Sequence, residues 1–313
     1  MSTYLVTGGA GFIGSNVIGE LVRRGETVRV LDNLATGHIE NLASVREKIE
    51  WHQADIRNLE SIRPDFEGVD YIIHLAAIPS VPRSVEDPLT SNAVNIDGTL
   101  NVLLAARDAG AKRVVFSASS AAYGDHPALP RVESQEPRPL SPYALTKLAG
   151  EYYCKIFAQV YGLETVSLRY FNIFGPHQSP DSAYSGVLSL FIAAYVNGNT
   201  PTILGDGEQS RDFTYIANAV DATLRACTAP KASGQVINVG TGERHTLNET
   251  IKILNRIFDR QVTPHYGPVR AGDVQHSHAD ISLARQLLSY EPGVRFEEGL
   301  RKTVDWFRSS RSS

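Results

Sequence analysis

The stretch Tyr4-Leu-Val-Thr-Gly-Gly-Ala-Gly-Phe-Ile-Gly14 decides the fold of this chain. A short apolar run of strand character, Tyr4–Thr7, gives way to glycines at 8, 11 and 14, and a helical pattern over Phe12–Arg24 begins among them. Glycine lets a backbone turn tightly and approach a ligand closely. A helix start presents unpaired amides and the positive end of its dipole to an anion. The stretch therefore reads as a seat for the pyrophosphate of a dinucleotide, although its spacing departs from G-x-G-x-x-G. Asp32 strengthens that reading. It closes the second strand-like run, Thr27–Leu31, at the distance of about 20 residues where a carboxylate accepts ribose hydroxyls. Asn33 follows it, with no arginine to receive a 2′-phosphate, so NAD is favoured over NADP.

Working outward, further runs at Glu50–Gln53, Tyr71–Leu75, Arg113–Ser117 and Thr165–Leu168 have strand character. Helical patterns at Ser91–Ala109 and Tyr143–Tyr161 lie among them. Strands alternating with helices define an α/β chain with a doubly wound parallel (Rossmann) sheet. After Phe171 loops marked by Gly175-Pro176, Asn197-Gly198 and Gly205-Asp206-Gly207 separate shorter elements. Residues 1–170 are expected to form the dinucleotide domain, with a return segment at 213–240 that includes the strand-like Val236–Val239. A smaller α/β substrate domain is expected over 171–313.

Composition narrows the function classes. Net charge is −4 over 313 residues, which supplies no basic face for nucleic acid. Cys154 and Cys227 are the only cysteines, which argues against a disulfide framework and for a reducing cytoplasm. The oily run Val187–Val196 is about half a membrane span, and the N-terminus lacks the pattern of a signal peptide.

The chemistry concentrates in Ser141-Pro-Tyr-Ala-Leu-Thr-Lys147. Residues four apart share one helix face, so Tyr143 and Lys147 can address one cleft. A nearby cation and a positive nicotinamide ring would favour phenolate, making Tyr143 a base. Ser119 follows the fifth strand, where strand ends of open α/β sheets face the ligand crevice, and can hydrogen-bond the reacting oxygen. Ser117 and Ser120 are the other hydroxyls available there. Asp55-Ile56 could meet the adenine, and Leu75-Ala76-Ala77 after His74 places small residues beside the cofactor path.

On Thr7–Gly14, Asp32-Asn33, His74–Ala77, Ser117–Gly124, Tyr143 with Lys147, Arg169–Gly175, Arg211–Tyr215 and Arg270-Ala-Gly-Asp273, the chain resembles the extended short-chain dehydrogenases/reductases. Within them it is similar to the nucleotide-sugar 4-epimerases of the UDP-glucose 4-epimerase group. The resemblance implies catalytic Ser119, Tyr143 and Lys147 and a retained NAD. Tyr143 would take the C4 hydroxyl proton while hydride leaves C4, and the 4-keto sugar would be reduced again from its other face. Gly8, Gly11, Phe12, Ile13, Gly14, Asp32, Asn33, Gly37, Asp55, Ile56, Leu75, Ala76, Ala77, Tyr143, Lys147 and Tyr170 would hold the dinucleotide. Arg83, Ser119, Ser120, Tyr143, Asn172, Arg211, Arg270, Asp273 and Ser277 would hold a UDP-sugar. A homodimer through the helices Ser91–Ala109 and Tyr143–Tyr161 is also implied.

In sister dehydratases and decarboxylases an acidic residue stands two positions before the Tyr-Gly matched here by Tyr123-Gly124, and dehydratases add another before it. This chain has Ala121 and Ser120 there, which leaves plain epimerisation. Seven residues beyond the family arginine, a tyrosine accompanies plain hexoses and a small residue accompanies N-acetylated ones. Here it is Ser277, so UDP-N-acetylglucosamine and UDP-N-acetylgalactosamine are the first expectation, with UDP-glucose and UDP-galactose still admissible. Arg83 could instead meet a C6 carboxylate, which keeps UDP-glucuronate in view. His276 and His278 near Asp273 and Asp280 fit no closed zinc site, and no metal is expected. The rival readings are a net sugar-nucleotide dehydrogenase or 2-epimerase, and an NAD-binding regulator on the same fold. The retained Ser119, Tyr143 and Lys147 weigh against the regulator.

Overall fold

The computed structural model describes residues 1–178, 186–269 and 274–310. Arg270 and Asp273, both expected at the substrate site, lie outside the described residues. Seven strands form the central sheet: β1 (Thr3–Thr7), β2 (Thr27–Asp32), β3 (Glu50–Gln53), β4 (Tyr71–His74), β5 (Arg113–Ser119), β6 (Glu164–Tyr170) and β7 (Gln235–Val239). Their order is β7-β6-β5-β4-β1-β2-β3, and every neighbouring pair is parallel. The expected doubly wound sheet is therefore present, and its topology reverses direction beside β1, where such sheets bind ligands.

Strand periodicity assigns side chains to the two faces. Tyr4 and Val6 of β1 join a core with Val17, Ile18 and Leu21 of helix α1 (Phe12–Arg23), while Leu5 faces the other core. That second core holds Val102, Leu103 and Ala106 of α2 (Gly98–Asp108) and Cys154 and Phe157 of α3 (Pro142–Val160). A fully buried leucine such as Leu5 stabilises by about 2 kcal/mol, and with a core on each face a one-residue slip of β1 would exchange its side chains between two differently packed cores.

Helix boundaries follow local chemistry. Gly25, at φ +77°, ends α1 and donates its amide to the Val22 carbonyl at 3.1 Å. Pro142 opens α3, and the Ser141 hydroxyl caps it by accepting from the Ala144 amide at 3.2 Å. The helix expected over Ser91–Ala109 is a composite: Pro88–Asn92 is α-helical, Ala93–Asp97 forms a π-turn, and α2 continues. At that turn the Asn95 side chain leaves the helix to bond the main chain of Ile78 in both directions, at 2.8 and 3.3 Å.

The second half supplies α4 (Val187–Val196), α5 (Ile216–Thr228), α6 (Leu247–Phe258) and α7 (Phe296–Ser309), with two-stranded pairings such as Ile173–Phe174 with Thr214–Tyr215. Helix α5 returns to the first half and shares its core with α1, while β7 pairs with β6. Among the described residues no helix is long and apolar enough to cross a membrane.

Candidate active site

The glycine turn is constrained by its neighbours. Gly8 sits at φ +71°, and a Cβ there would lie 2.6 Å from the Ala76 amide nitrogen. A Cβ on Gly14 would lie 2.3 Å from the Gly8 carbonyl oxygen. Gly11 caps α1 without a side chain, so the amides of Phe12, Ile13 and Gly14 open on the turn with no side-chain cap. Gly37 closes the far side, where a Cβ would meet the Ala10 backbone at 2.9 Å. The cradle fits a pyrophosphate because it is made of main chain and cannot be filled by side chains.

Asp32 is 7% exposed, and its two oxygens accept from the amides of Ala10 at 3.0 Å and Leu34 at 2.8 Å. Burial pushes its carboxyl up, opposed by those amides. Asn33 donates to Asp55 at 2.9 Å, and the Arg57 ion pair holds Asp55 down at about 2. Asn33 thereby links the acid at the end of β2 to the Asp55–Arg57 pair, in which the carboxylate charge is offset by the guanidinium. Ile56 is buried under Gly98, whose missing side chain makes the contact possible. Leu75 donates to the Thr7 carbonyl at 3.1 Å, which brings Leu75, Ala76 and half-buried Ala77 alongside the turn.

Below that turn, Thr99 donates to the Asn95 carbonyl at 2.6 Å and so must accept from Nε2 of His74 at 3.0 Å. Nδ1 of His74 then accepts from the Thr7 hydroxyl at 2.7 Å. Burial, with the Lys147 charge adding to it, lowers His74 to about 3, so the ring is neutral.

Ser119 ends β5, and its hydroxyl is within hydrogen-bonding reach of both the Ala121 amide, at 3.2 Å, and the Tyr143 phenol. Ser120 opens the following turn, Ser120–Tyr123. Tyr143 and Lys147 project from the first turns of α3. Lys147 donates to the Ser117 carbonyl at 2.8 Å, lies 5.1 Å from the centre of the Phe116 ring, and is lowered by burial to about 8. Tyr143 is raised by burial, against the pull of the Ser119 hydrogen bond. The expected lowering by Lys147 is thus not a property of the chain alone: the ammonium is drawn inward to Ser117, and desolvation dominates at the phenol.

Tyr170 closes β6 with its side chain buried. Its hydroxyl shares a 2.7 Å hydrogen bond with Thr223 in the core, while the preceding Arg169 pairs with Glu151 of α3 on the opposite sheet face at 2.7 Å. Strand alternation places the Tyr170 side chain in the core that α1 and α5 share, beside Val166 and Leu168.

The residues expected to meet a UDP-sugar come from segments distant in sequence. Asn172, at φ +38°, donates to the Asp212 carbonyl at 3.0 Å and approaches the Ser277 hydroxyl at 3.4 Å. Ser277 is anchored through its amide to the Ser210 carbonyl at 2.9 Å. Arg211 donates to the carbonyls of Ser210 and Gln275 at 3.0 and 3.1 Å. Arg83 lies on the short helix Val81–Glu86, whose Ser84 contacts the start of α3. Sequence reasoning missed Asp212, a fully buried carboxylate that accepts from the Thr241 amide and hydroxyl, the Gly242 amide and the Ala279 amide at 2.7–3.2 Å. Its place in the run Arg211–Tyr215 was the one signal. Among the described residues no cluster of three or more His, Cys, Asp or Glu could hold a metal ion.

A glycine cradle at a helix start, a buried acid at the ribose position and a Ser-Tyr-Lys group at the strand ends define a nicotinamide-dependent enzyme. The profile of the NAD dependent epimerase/dehydratase family matches residues 4–240, and the chain belongs to that family and uses NAD. It is 39% identical to the UDP-glucose 4-epimerase of Mycolicibacterium smegmatis, covering 97% of this chain and 98% of that one. It is 35% identical to the UDP-glucuronate 4-epimerase of Thermodesulfobacterium geofontis, covering 99% and 97%. The solved structure of a UDP-N-acetylglucosamine 4-epimerase from Methanobrevibacter ruminantium, in complex with UDP-N-acetylmuramic acid, superposes with a TM-score of 0.94 at 40% identity over 99% of each chain.

Proposed function

We propose that this chain, an NAD-dependent UDP-sugar 4-epimerase and therefore an isomerase, prefers the pair UDP-N-acetylglucosamine and UDP-N-acetylgalactosamine. One observation carries the preference: Ser277, a small side chain, is anchored against Asn172 on the sugar side. A serine leaves volume for an acetamido group at C2, which a tyrosine would occupy. Relatives bearing three different sugar names lie at 35–40% identity, so overall similarity does not choose among them.

In this reading Tyr143 takes the proton of the C4 hydroxyl and later returns one, and Ser119 orients the reacting oxygen. Lys147 supplies positive charge at the base of the site, Asn172 and Arg211 meet the diphosphate, and the family resemblance gives Arg270, outside the described residues, the same task. Bound NAD supplies a hydride acceptor that becomes the donor for the return step. Ala121 and Ser120 offer no acid for elimination, so the ketone is only reduced again.

Residues 1–170 with 213–240 form the dinucleotide half and 171–313 the nucleotide-sugar half. Leu145, Tyr152 and Ile156 are exposed on α3, with Leu89 exposed on the preceding helical run, which supports a homodimer through these helices. Two buried free cysteines fit a reducing cytoplasm. Separate incubations with UDP-N-acetylglucosamine, UDP-glucose and UDP-glucuronate, with product stereochemistry read by NMR, test the preference. Conversion fastest on the N-acetylated sugar supports it. Conversion fastest on UDP-glucuronate would assign Arg83 to a C6 carboxylate instead.

A further inference from the structure

We infer that Ser84 and Thr146 are positioning residues that clamp the main chain of Tyr143 from both sides and so fix where its phenol stands. Tyr143 occupies the second position of α3, where a helix amide has no partner inside the helix. The Ser141 cap takes the Ala144 amide and leaves that of Tyr143. The Tyr143 amide is met from outside, by the hydroxyl of Ser84 at 3.0 Å. Ser84 is fully buried and donates in turn to the Val81 carbonyl at 2.7 Å, so its orientation is set. On the other side, the buried Thr146 hydroxyl donates to the Tyr143 carbonyl at 2.8 Å and accepts from Nδ2 of Asn95 at 3.0 Å.

Each hydroxyl therefore both donates and accepts, and each ties Tyr143 to a different element. Ser84 links it to the helix Val81–Glu86, which carries Arg83. Thr146 links it to the π-turn Ala93–Asp97, whose Thr99 neighbour holds His74 under the glycine turn. The pairing sets the base relative to the sugar side through one hydroxyl and relative to the dinucleotide side through the other. A base displaced by about 1 Å loses much of its rate while binding is untouched.

The inference rests on Tyr143 being the base, and its test keeps the two separable. Ser84→Ala and Thr146→Val each remove one hydroxyl with little change in volume. Each should lower kcat roughly tenfold, with KM for the UDP-sugar and NAD bound per chain unchanged within about twofold. Ser84→Thr and Thr146→Ser, which keep the hydroxyls, should restore kcat. Unchanged kcat in both single variants while Tyr143→Phe is inactive would overturn the clamp and leave the base assignment standing. A fall in kcat accompanied by equal loss of bound NAD and a raised KM would also overturn it, by showing general damage to the fold. Activity retained in Tyr143→Phe would defeat the base assignment itself.

Discussion

The two sides of the crevice are built by different means. On the dinucleotide side the surface is main chain, shaped by Gly8, Gly14 and Gly37 at positions where a Cβ would collide with backbone, and by one acid whose oxygens accept from backbone amides. On the side proposed for the sugar the surface is side chain: Asn172, Arg211 and Ser277 come from separate segments and are held together by the carbonyls of Ser210, Asp212 and Gln275. A site of main chain has little freedom to vary by substitution. A site of converging side chains can change its ligand by a single substitution.

Four experiments test the contrast between the two sides. Tyr143→Phe, at the junction of the two sides, should reduce turnover by roughly 10³-fold with fold and bound NAD intact; steady-state rates and extracted dinucleotide would check it. Gly14→Ala should lose bound NAD by at least roughly tenfold, since its Cβ would meet the Gly8 carbonyl. Full NAD content in that variant would show that the cradle is not confined by main chain.

Ser277→Tyr should lower activity on N-acetylated sugars several-fold more than on plain ones, with NAD content untouched. Equal losses on both sugars would remove Ser277 from the specificity role. The smallest effect concerns pH. Burial depresses Lys147 to about 8, so its ammonium is lost as pH rises through about 8, well below the ordinary lysine value. Activity should accordingly decline above pH 8, and a flat profile up to pH 10 would show that the charge is not required.

The same contrast explains what the sequence revealed. The glycines and Asp32 announce themselves because a strand, a turn and a helix follow one another in the chain, and all seven strands of the sheet coincide with runs read as strands, Glu50–Gln53 included although only its Trp51 is apolar. Tyr143 and Lys147 are visible through helix spacing. The strand Glu164–Tyr170 alternates Thr165, Ser167 and Arg169 with Val166, Leu168 and Tyr170, but that pattern does not name Thr223 as the partner of the Tyr170 hydroxyl. Asp212 is silent because its role consists of four hydrogen bonds to loops near 241 and 279 that only the folded chain brings together. The π-turn at Asn95 is hidden for a similar reason: a helical pattern does not record a side chain that leaves the helix to bond Ile78.

In the proposed mechanism hydrogen leaves C4 of the sugar and comes back to the same carbon from the other face without meeting water. A UDP-sugar carrying deuterium at C4, brought to epimerisation equilibrium in ordinary water and examined by NMR, tests it most directly. Deuterium retained at C4 in both epimers is the predicted result. Its replacement by solvent hydrogen would contradict the account.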